Sequence, residues 1–187
     1  MTIPNSFYIK TLKYELCNKF AYKNISEIPK LKKIILNFGC RTADLKHLSA
    51  SLLALELITC QKGRITTTKS PNLLLKIKKG NPSGCKVTLK KTQMLNFLLK
   101  MIINVFPKIK NFDGFKNPDK NKSNLFSFKL NDTFVFKELE KNYYLFHKLK
   151  MLTVTIVLKC SLREELLFLL KSFQFPLNCK CNSNGRV

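Results

Sequence analysis

The sequence predicts an α+β fold, a mainly antiparallel sheet with helices packed on one face. Three observations predict it. Apolar residues make up 45% of the 187-residue chain, enough to build one core and one ordinary domain. Segments of period-two alternation are interleaved with segments whose apolar residues recur every three or four positions. Closely spaced strand-like pairs break the strict strand–helix alternation that a parallel wound sheet would need. No internal repeat or low-complexity tract divides the chain. Residues 1–177 are therefore expected to form a single domain and 178–187 a flexible tail.

Residues 6–21 predict a first helix, with Phe7, Leu12, Leu16 and Phe20 near one face. Pro29 ends the connection that follows. Leu31–Phe38 reads as a strand: Ile34, Leu36 and Phe38 alternate with Lys33, Ile35 and Asn37, and Gly39 closes it. Asp44–Thr59 predicts a second helix, striped by Leu45, Leu48, Leu52 and Leu55. Arg64–Thr68 is short and β-branched, hence a strand. A turn-rich stretch runs from Lys69 to Gly84, bounded by Ser70-Pro71 and Asn81-Pro82-Ser83-Gly84. Cys85–Lys91 alternates again, with Cys85, Val87 and Leu89 on a buried face and Lys86, Thr88 and Lys90 on a wet, basic one. Met94, Phe97, Leu98, Met101, Ile102 and Val105 then trace a helical stripe that Pro107 stops.

A polar loop follows to about Asn124. Phe126, Phe128 and Leu130 alternate with Ser127 and Lys129 as a strand, and Asn131-Asp132 turns into a predicted hairpin arm, Thr133–Phe136. Leu152–Lys159 is a further strand. Ser161-Leu162-Arg163-Glu164 has the pattern of a capping box. The helix it opens carries Leu162, Leu166, Leu169, Leu170 and Phe173, and Pro176 ends it. A sheet covered on one side leaves its other side free to meet something else.

Charge says what that something is. Lys plus Arg number 34 and Asp plus Glu 11, a formal charge of +23. A small core carrying that much charge repels itself unless a polyanion neutralises it. Nucleic acid is the partner this favours, with an anionic membrane surface as the alternative. No helix concentrates Lys on one side and exposed aromatics on the other, as a membrane-surface helix would. No uncharged apolar run approaches the roughly 18–20 residues of a membrane span, so no integral membrane segment is expected. Lys outnumbers Arg 30 to 4, and Asn (17) and Phe (15) are also heavy. All three have A/T-rich codons, the stamp of an AT-rich genome such as an organelle's or a parasite's. Lys then acts as a point charge against phosphate, not as a bidentate fork.

Between Glu56 and Asp113 there is no acid, while twelve bases fall in the same interval. A solvated face normally mixes signs, so this one-signed run points to phosphate. Within it, Lys76, Lys78 and Lys79 sit in a loop punctuated by Gly80, Pro82 and Gly84, whose glycines let backbone approach an anion. It is not a nucleotide-binding P-loop, because Gly-x-x-x-x-Gly-Lys-Ser/Thr does not occur. Seven cysteines, an odd number without framework spacing, read as thiols of a reduced compartment. Cys179-Lys-Cys181 lacks the second pair a zinc site needs, and His47 and His147 have no nucleophile or acid in sequence context. No catalytic residue, metal, cofactor or small-molecule substrate is expected. The first twenty residues contain no Arg and do not look like a transit peptide; a protein working in an organelle is then made there, or its presequence is absent here.

The blocks from Leu57 onward add a resemblance. Leu57–Ser70 (LITCQKGRITTTKS), residues 77–91 (IKKGNPSGCKVTLKK) and the helix running into VFPKIKNFDGF resemble the bacterial-type protein five of the large ribosomal subunit. The likeness extends back through Ile28-Pro29-Lys30-Leu31 and ILNFG at 35–39, and forward to FQFPL at 173–177, covering about residues 6–177. Gly80-x-Pro82-x-Gly84-Cys85-Lys86-Val87-Thr88-Leu89 is its most specific piece.

The resemblance implies a non-enzymatic protein of the central protuberance that binds 5S ribosomal RNA and neighbouring large-subunit RNA. It implies contact with the elbow of the peptidyl-site transfer RNA, with small-subunit head protein thirteen, and with neighbouring protuberance proteins. By the matched blocks, Asn37, Phe38, Gly39, Gln61, Lys62, Thr66, Lys69 and Lys86 are RNA-binding, with Arg64, Thr88 and Lys90 in the same blocks. Lys76, Lys78, Gly80, Pro82 and Gly84, with Lys79 and Asn81 between them, form the transfer-RNA loop. The sequence departs from the family at Gly63, where proline is usual, at Thr67-Thr68, where a more basic pair is usual, and at Leu73-Leu74, where small residues are usual. Around Asn117–Ser127 it lacks the usual glycine-rich, aromatic pattern. These departures fit a diverged organellar copy, expected in the mitochondrial matrix, with another organellar or a bacterial ribosome as the alternative. The other functional reading is a non-ribosomal RNA-binding or chaperone module that reuses the fold.

Overall fold

The structure, a computed structural model, describes residues 8–40, 45–71, 78–110, 112–116, 124–149, 151–160 and 162–178. A π-helical turn, Tyr8–Leu12, leads into helix α1, Lys13–Lys19. Strand β1 is Lys30–Gly39, helix α2 Leu45–Thr59, strand β2 Arg64–Thr67 and strand β3 Pro82–Leu89. Helix α3, Lys91–Lys100, continues through a π-helical turn, Met101–Val105, and a tight 3-10 turn, Phe106–Lys108. Then come β4 (Phe115–Lys116), β5 (Leu125–Leu130), the one-turn helices α4 (Lys137–Glu140) and α5 (Tyr143–Phe146), β6 (Leu152–Lys159), α6 (Arg163–Ser172) and β7 (Leu177–Asn178).

The strands form one five-stranded sheet in the order β2-β3-β1-β6-β5, every neighbouring pair antiparallel. The α+β expectation holds. Alternation decides which face is dry: Ile34, Leu36 and Phe38, then Cys85 and Val87, then Val154 and Ile156, then Phe126 and Phe128 are all buried and share one side. Onto that side pack Leu48, Ala54, Leu55 and Ile58 of α2, Met94, Phe97 and Leu98 of α3, and Leu166, Leu169 and Leu170 of α6, in one continuous core. Each such side chain contributes about 1.5–3 kcal/mol by leaving water. Beyond β5 the core ends in an aromatic cluster: Phe115 stands 4.3 Å from Phe128, and Phe175 4.9 Å from Phe106, between ring centroids. This cluster anchors the small parallel pair β4–β7. Lys100 ties the helices together, donating to the Ile58 carbonyl at 3.0 Å and pairing with Glu138 at 2.9 Å.

The structure corrects several sequence expectations. Thr133–Phe136 is not a hairpin arm but a series of turns leading into α4. Asp132 Oδ1 accepts the Phe134 N–H at 2.9 Å, and the Thr133 carbonyl accepts the Phe136 N–H, so local bonds take what a ladder would have used. β5 pairs with β6 instead. Pro82, Ser83 and Gly84 belong to strand β3 and not to the loop. Leu45 and Leu162, assigned to apolar stripes, are 73% and 55% exposed, because each stands at the first turn of a helix that has not yet met the sheet. The N-terminal cap of α6 is closed by Glu165, which accepts the Leu162 N–H at 3.2 Å, and not by Glu164. Asn178, assigned to the tail, pairs with Lys116. Phe7, Asp44, Ser161 and residues 179–187, with Cys179 and Cys181, lie outside the described residues. No described helix is long and apolar enough to cross a membrane.

Candidate nucleic-acid interface

The open side of the sheet is built by the other half of each strand's alternation. Lys33, Ile35 and Asn37 of β1 and Lys86 and Thr88 of β3 look away from the core, exposed or half-buried. Register brings them together: Asn37 lies opposite Lys86, Ile35 opposite Thr88, and Arg64 of β2 opposite Lys86. Where this surface meets the α2–β2 connection and the start of α3, it hollows into a groove of about 440 Å³. Lys33, Gln61, Lys62, Arg64, Val87, Lys86, Thr88, Lys90 and Gln93 line it, five cations and no acid. The first turn of α3 also carries no acidic residue, so its free N–H groups add to the positive field.

Gln61 presents Oε1 there, buried and without a hydrogen-bond partner among the described residues. An acceptor held out of water in that state is suited to a donor brought by a ligand, such as a hydroxyl or a base amino group. Cations at such spacing neutralise phosphates, while the amides and the Thr88 hydroxyl can read sugar or base edges.

The structure therefore brings six of the sequence-predicted residues (Gln61, Lys62, Arg64, Lys86, Thr88 and Lys90) to one groove, from segments far apart in the chain. Asn37 adjoins them on the open face. Phe38 does not: its side chain is 1% exposed, in the core on the opposite side of β1. Gly39 is exposed at the strand's end, with nothing near enough to meet a Cβ. Thr66 is half-buried and its hydroxyl is engaged by Ser83 at 3.2 Å. Sequence reading missed Lys33 and Gln93; Lys33 was legible, since it alternates with Ile34 on the wet side of its strand.

The predicted loop has a defined neck. Thr68 N–H donates to the Asn81 carbonyl at 2.9 Å, Gly80 N–H to the Thr68 carbonyl at 3.0 Å, and the Thr68 hydroxyl to the Lys78 carbonyl at 2.8 Å. Gly80 turns the chain at φ +89°, a conformation that favours glycine. Lys69, Lys78, Lys79 and Gly80 are exposed around this neck, and Asn81 and Pro82 are half-buried. Gly84 is buried: a Cβ there would overlap the Phe38 carbonyl oxygen, so its glycine serves the close β1–β3 approach. Lys76 lies outside the described residues.

Behind the sheet, Cys40 Sγ stands 3.6 Å from His47 Nδ1, and Ser51 donates to Cys85 Sγ at 3.5 Å. Burial pushes the Cys85 thiol up, against the lowering effect of Ser51 and with a further rise from Cys40. Among the described residues no group of three His, Cys, Asp or Glu side chains could hold a metal ion.

A one-sided antiparallel sheet whose open face carries cations, amides and hydroxyls but no acid defines a polyanion-binding α+β scaffold. Comparison with known proteins narrows the class. Residues 82–177 match the sequence profile of the ribosomal L-five (uL5) family C-terminus. The chain is 38% identical to "Large ribosomal subunit protein uL5m" of Reclinomonas americana, over 91% of this chain and 95% of that protein. It is 37% identical to "Large ribosomal subunit protein uL5" of Wigglesworthia glossinidia brevipalpis, over 91% and 96%. It is 36% identical to "Large ribosomal subunit protein uL5c" of Oedogonium cardiacum, over 90% and 94%. The chain belongs to this ribosomal protein family.

Proposed function

We propose that this chain is a structural constituent of the large ribosomal subunit and sits in its central protuberance. The acid-free groove carries the reading, because it collects Gln61, Lys62, Arg64, Lys86, Thr88 and Lys90 on one surface. That groove, with Asn37 and the backbone at Phe38 and Gly39, binds 5S ribosomal RNA, and neighbouring large-subunit RNA meets the basic flank at Thr66 and Lys69. Lys and backbone donors hold phosphates, and shape gives most of the fit. The loop with Lys76, Lys78, Lys79, Gly80 and Asn81 reaches the elbow of the peptidyl-site transfer RNA. A further contact bridges to small-subunit head protein thirteen. Membership of the family and the likeness to a relative named uL5m support a mitochondrial ribosome. Residues 1–177 act as one RNA-binding unit, and the function needs no catalytic step, cofactor or membrane segment.

Sedimentation tests the reading. The protein, followed through a sucrose gradient, is expected to travel with the large subunit at constant stoichiometry and to leave that position after nuclease treatment. Slow sedimentation away from intact ribosomes would instead mean a free RNA-binding module reusing the fold. Replacing Lys78 and Lys79 by Ala is expected to weaken peptidyl-site transfer-RNA occupancy while the purified variant melts as the parent does; full occupancy would sink the loop assignment.

A further inference from the structure

The groove occupies only one edge of the sheet, yet the register continues its chemistry to the other. Arg64 pairs with Lys86, Lys86 with Asn37, Asn37 with Thr153, and Thr153 with Lys129. These five residues form one straight row across all five strands, on the side facing away from the core. Four inter-strand gaps of about 4.8 Å make the row roughly 19 Å wide. Arg64, Lys86 and Lys129 are exposed, and Asn37 and Thr153 are half-buried between their neighbours. None of the five side chains has a hydrogen-bond or ion-pair partner among the described residues, and no acid stands in the row. The adjacent row repeats the pattern with neutral groups: Thr88, Ile35, Thr155 and Ser127.

The order along the row is what decides the ligand. Cations stand at both ends, and between them stand an amide and a hydroxyl, each able to donate and accept. A single strand lying along the row would want positive charge throughout. A duplex meeting the sheet across a shallow groove would want it only at the flanks, with neutral donor–acceptor groups over the sugars between. A-form RNA presents that surface: a wide, shallow minor groove edged by two phosphate backbones and floored by 2′-hydroxyls.

We infer that the whole open face, and not the groove alone, docks across the minor groove of an RNA helix. Arg64 and Lys86 hold one backbone, Lys129 holds the other, and Asn37 and Thr153 bond to 2′-hydroxyls. The inference rests on the RNA-binding function proposed above and adds to it the far half of the sheet, the duplex form of the ligand and discrimination against DNA.

The test uses the full chain, a short RNA duplex and the DNA duplex of the same sequence, with binding followed by fluorescence anisotropy across a potassium chloride series. Lys129→Ala is expected to weaken RNA binding about three- to tenfold and to lower the salt slope by about one. Thr153→Val, which keeps the side chain's shape, is expected to weaken RNA binding and leave DNA binding unchanged, so that the RNA-over-DNA preference falls. Lys129→Ala and Thr153→Val both binding as the parent does would overturn the inference. Lys86→Ala, measured alongside, separates the two levels. Weakened binding there, with the other two unchanged, leaves the groove standing and removes only the far half. Unchanged binding in all three variants removes the groove reading as well.

Discussion

Cys160 shows what a single burial does to a titrating group. It stands just past the end of β6, 7% exposed, with Sγ donating to Asn124 Oδ1 at 3.6 Å. Removal from water, with the negative charge of Glu165 adding to it, pushes its thiol up to about 11 from the usual 9.0. The folded state therefore prefers the neutral thiol more strongly than the unfolded chain does. That preference is fully present below pH 9 and is lost as pH rises toward 11. Its full size is on the order of 2 kcal/mol. The urea midpoint of the parent protein is expected to fall faster than that of Cys160→Ala over that window, the two curves running parallel below it. Parallel curves throughout would show that the thiol feels no such environment.

The strands were the legible elements, because their two faces meet different solvents. Leu31–Phe38, Cys85–Leu89 and Leu152–Lys159 each alternate between core and water, and the structure holds all three as strands. The one-turn helices α4 and α5 were not legible, since four residues complete barely one period of a 3.6-residue repeat. Thr133–Phe136 misled because its apolar residues belong to turns closed by a side-chain carboxylate, a contact that no periodicity records. Half the candidate site was legible as charge, but its coming together was not. That Gln61 and Lys90 border the same hollow depends on how α2 returns to the sheet, a matter of tertiary packing. Gly84 belongs at this scale as well, for its missing side chain lets β3 lie close against β1. Gly84→Ala would press its methyl into backbone and not into a side chain that could swing away. An expected cost of about 2–3 kcal/mol follows, read as a lowered urea midpoint with an unchanged slope.

For the molecule as a whole, a charge of +23 on 187 residues is a repulsion that the fold itself must bear. The ion pairs Lys100–Glu138 and Lys108–Glu140 relieve a little of it. The melting temperature of the isolated protein is expected to rise by several degrees as salt screens that repulsion between low and roughly physiological ionic strength. A melting temperature that stays flat or falls would mean that the repulsion is already neutralised within the fold. The sheet order has a consequence of another kind, in the course of synthesis. Strand β1 is central, with β3 on one side and β6 on the other, and β6 begins more than a hundred residues later. A growing chain that has reached only α3 thus has an apolar strand with one hydrogen-bonding edge and much of its dry face still open. Such pairing across long sequence distance is slow, and the half-made sheet is a template for its neighbours until it closes. The ribosome making this protein must therefore shelter nearly the entire chain before the first stable sheet exists, and a chain cut short of Leu152 is one that aggregates and does not fold.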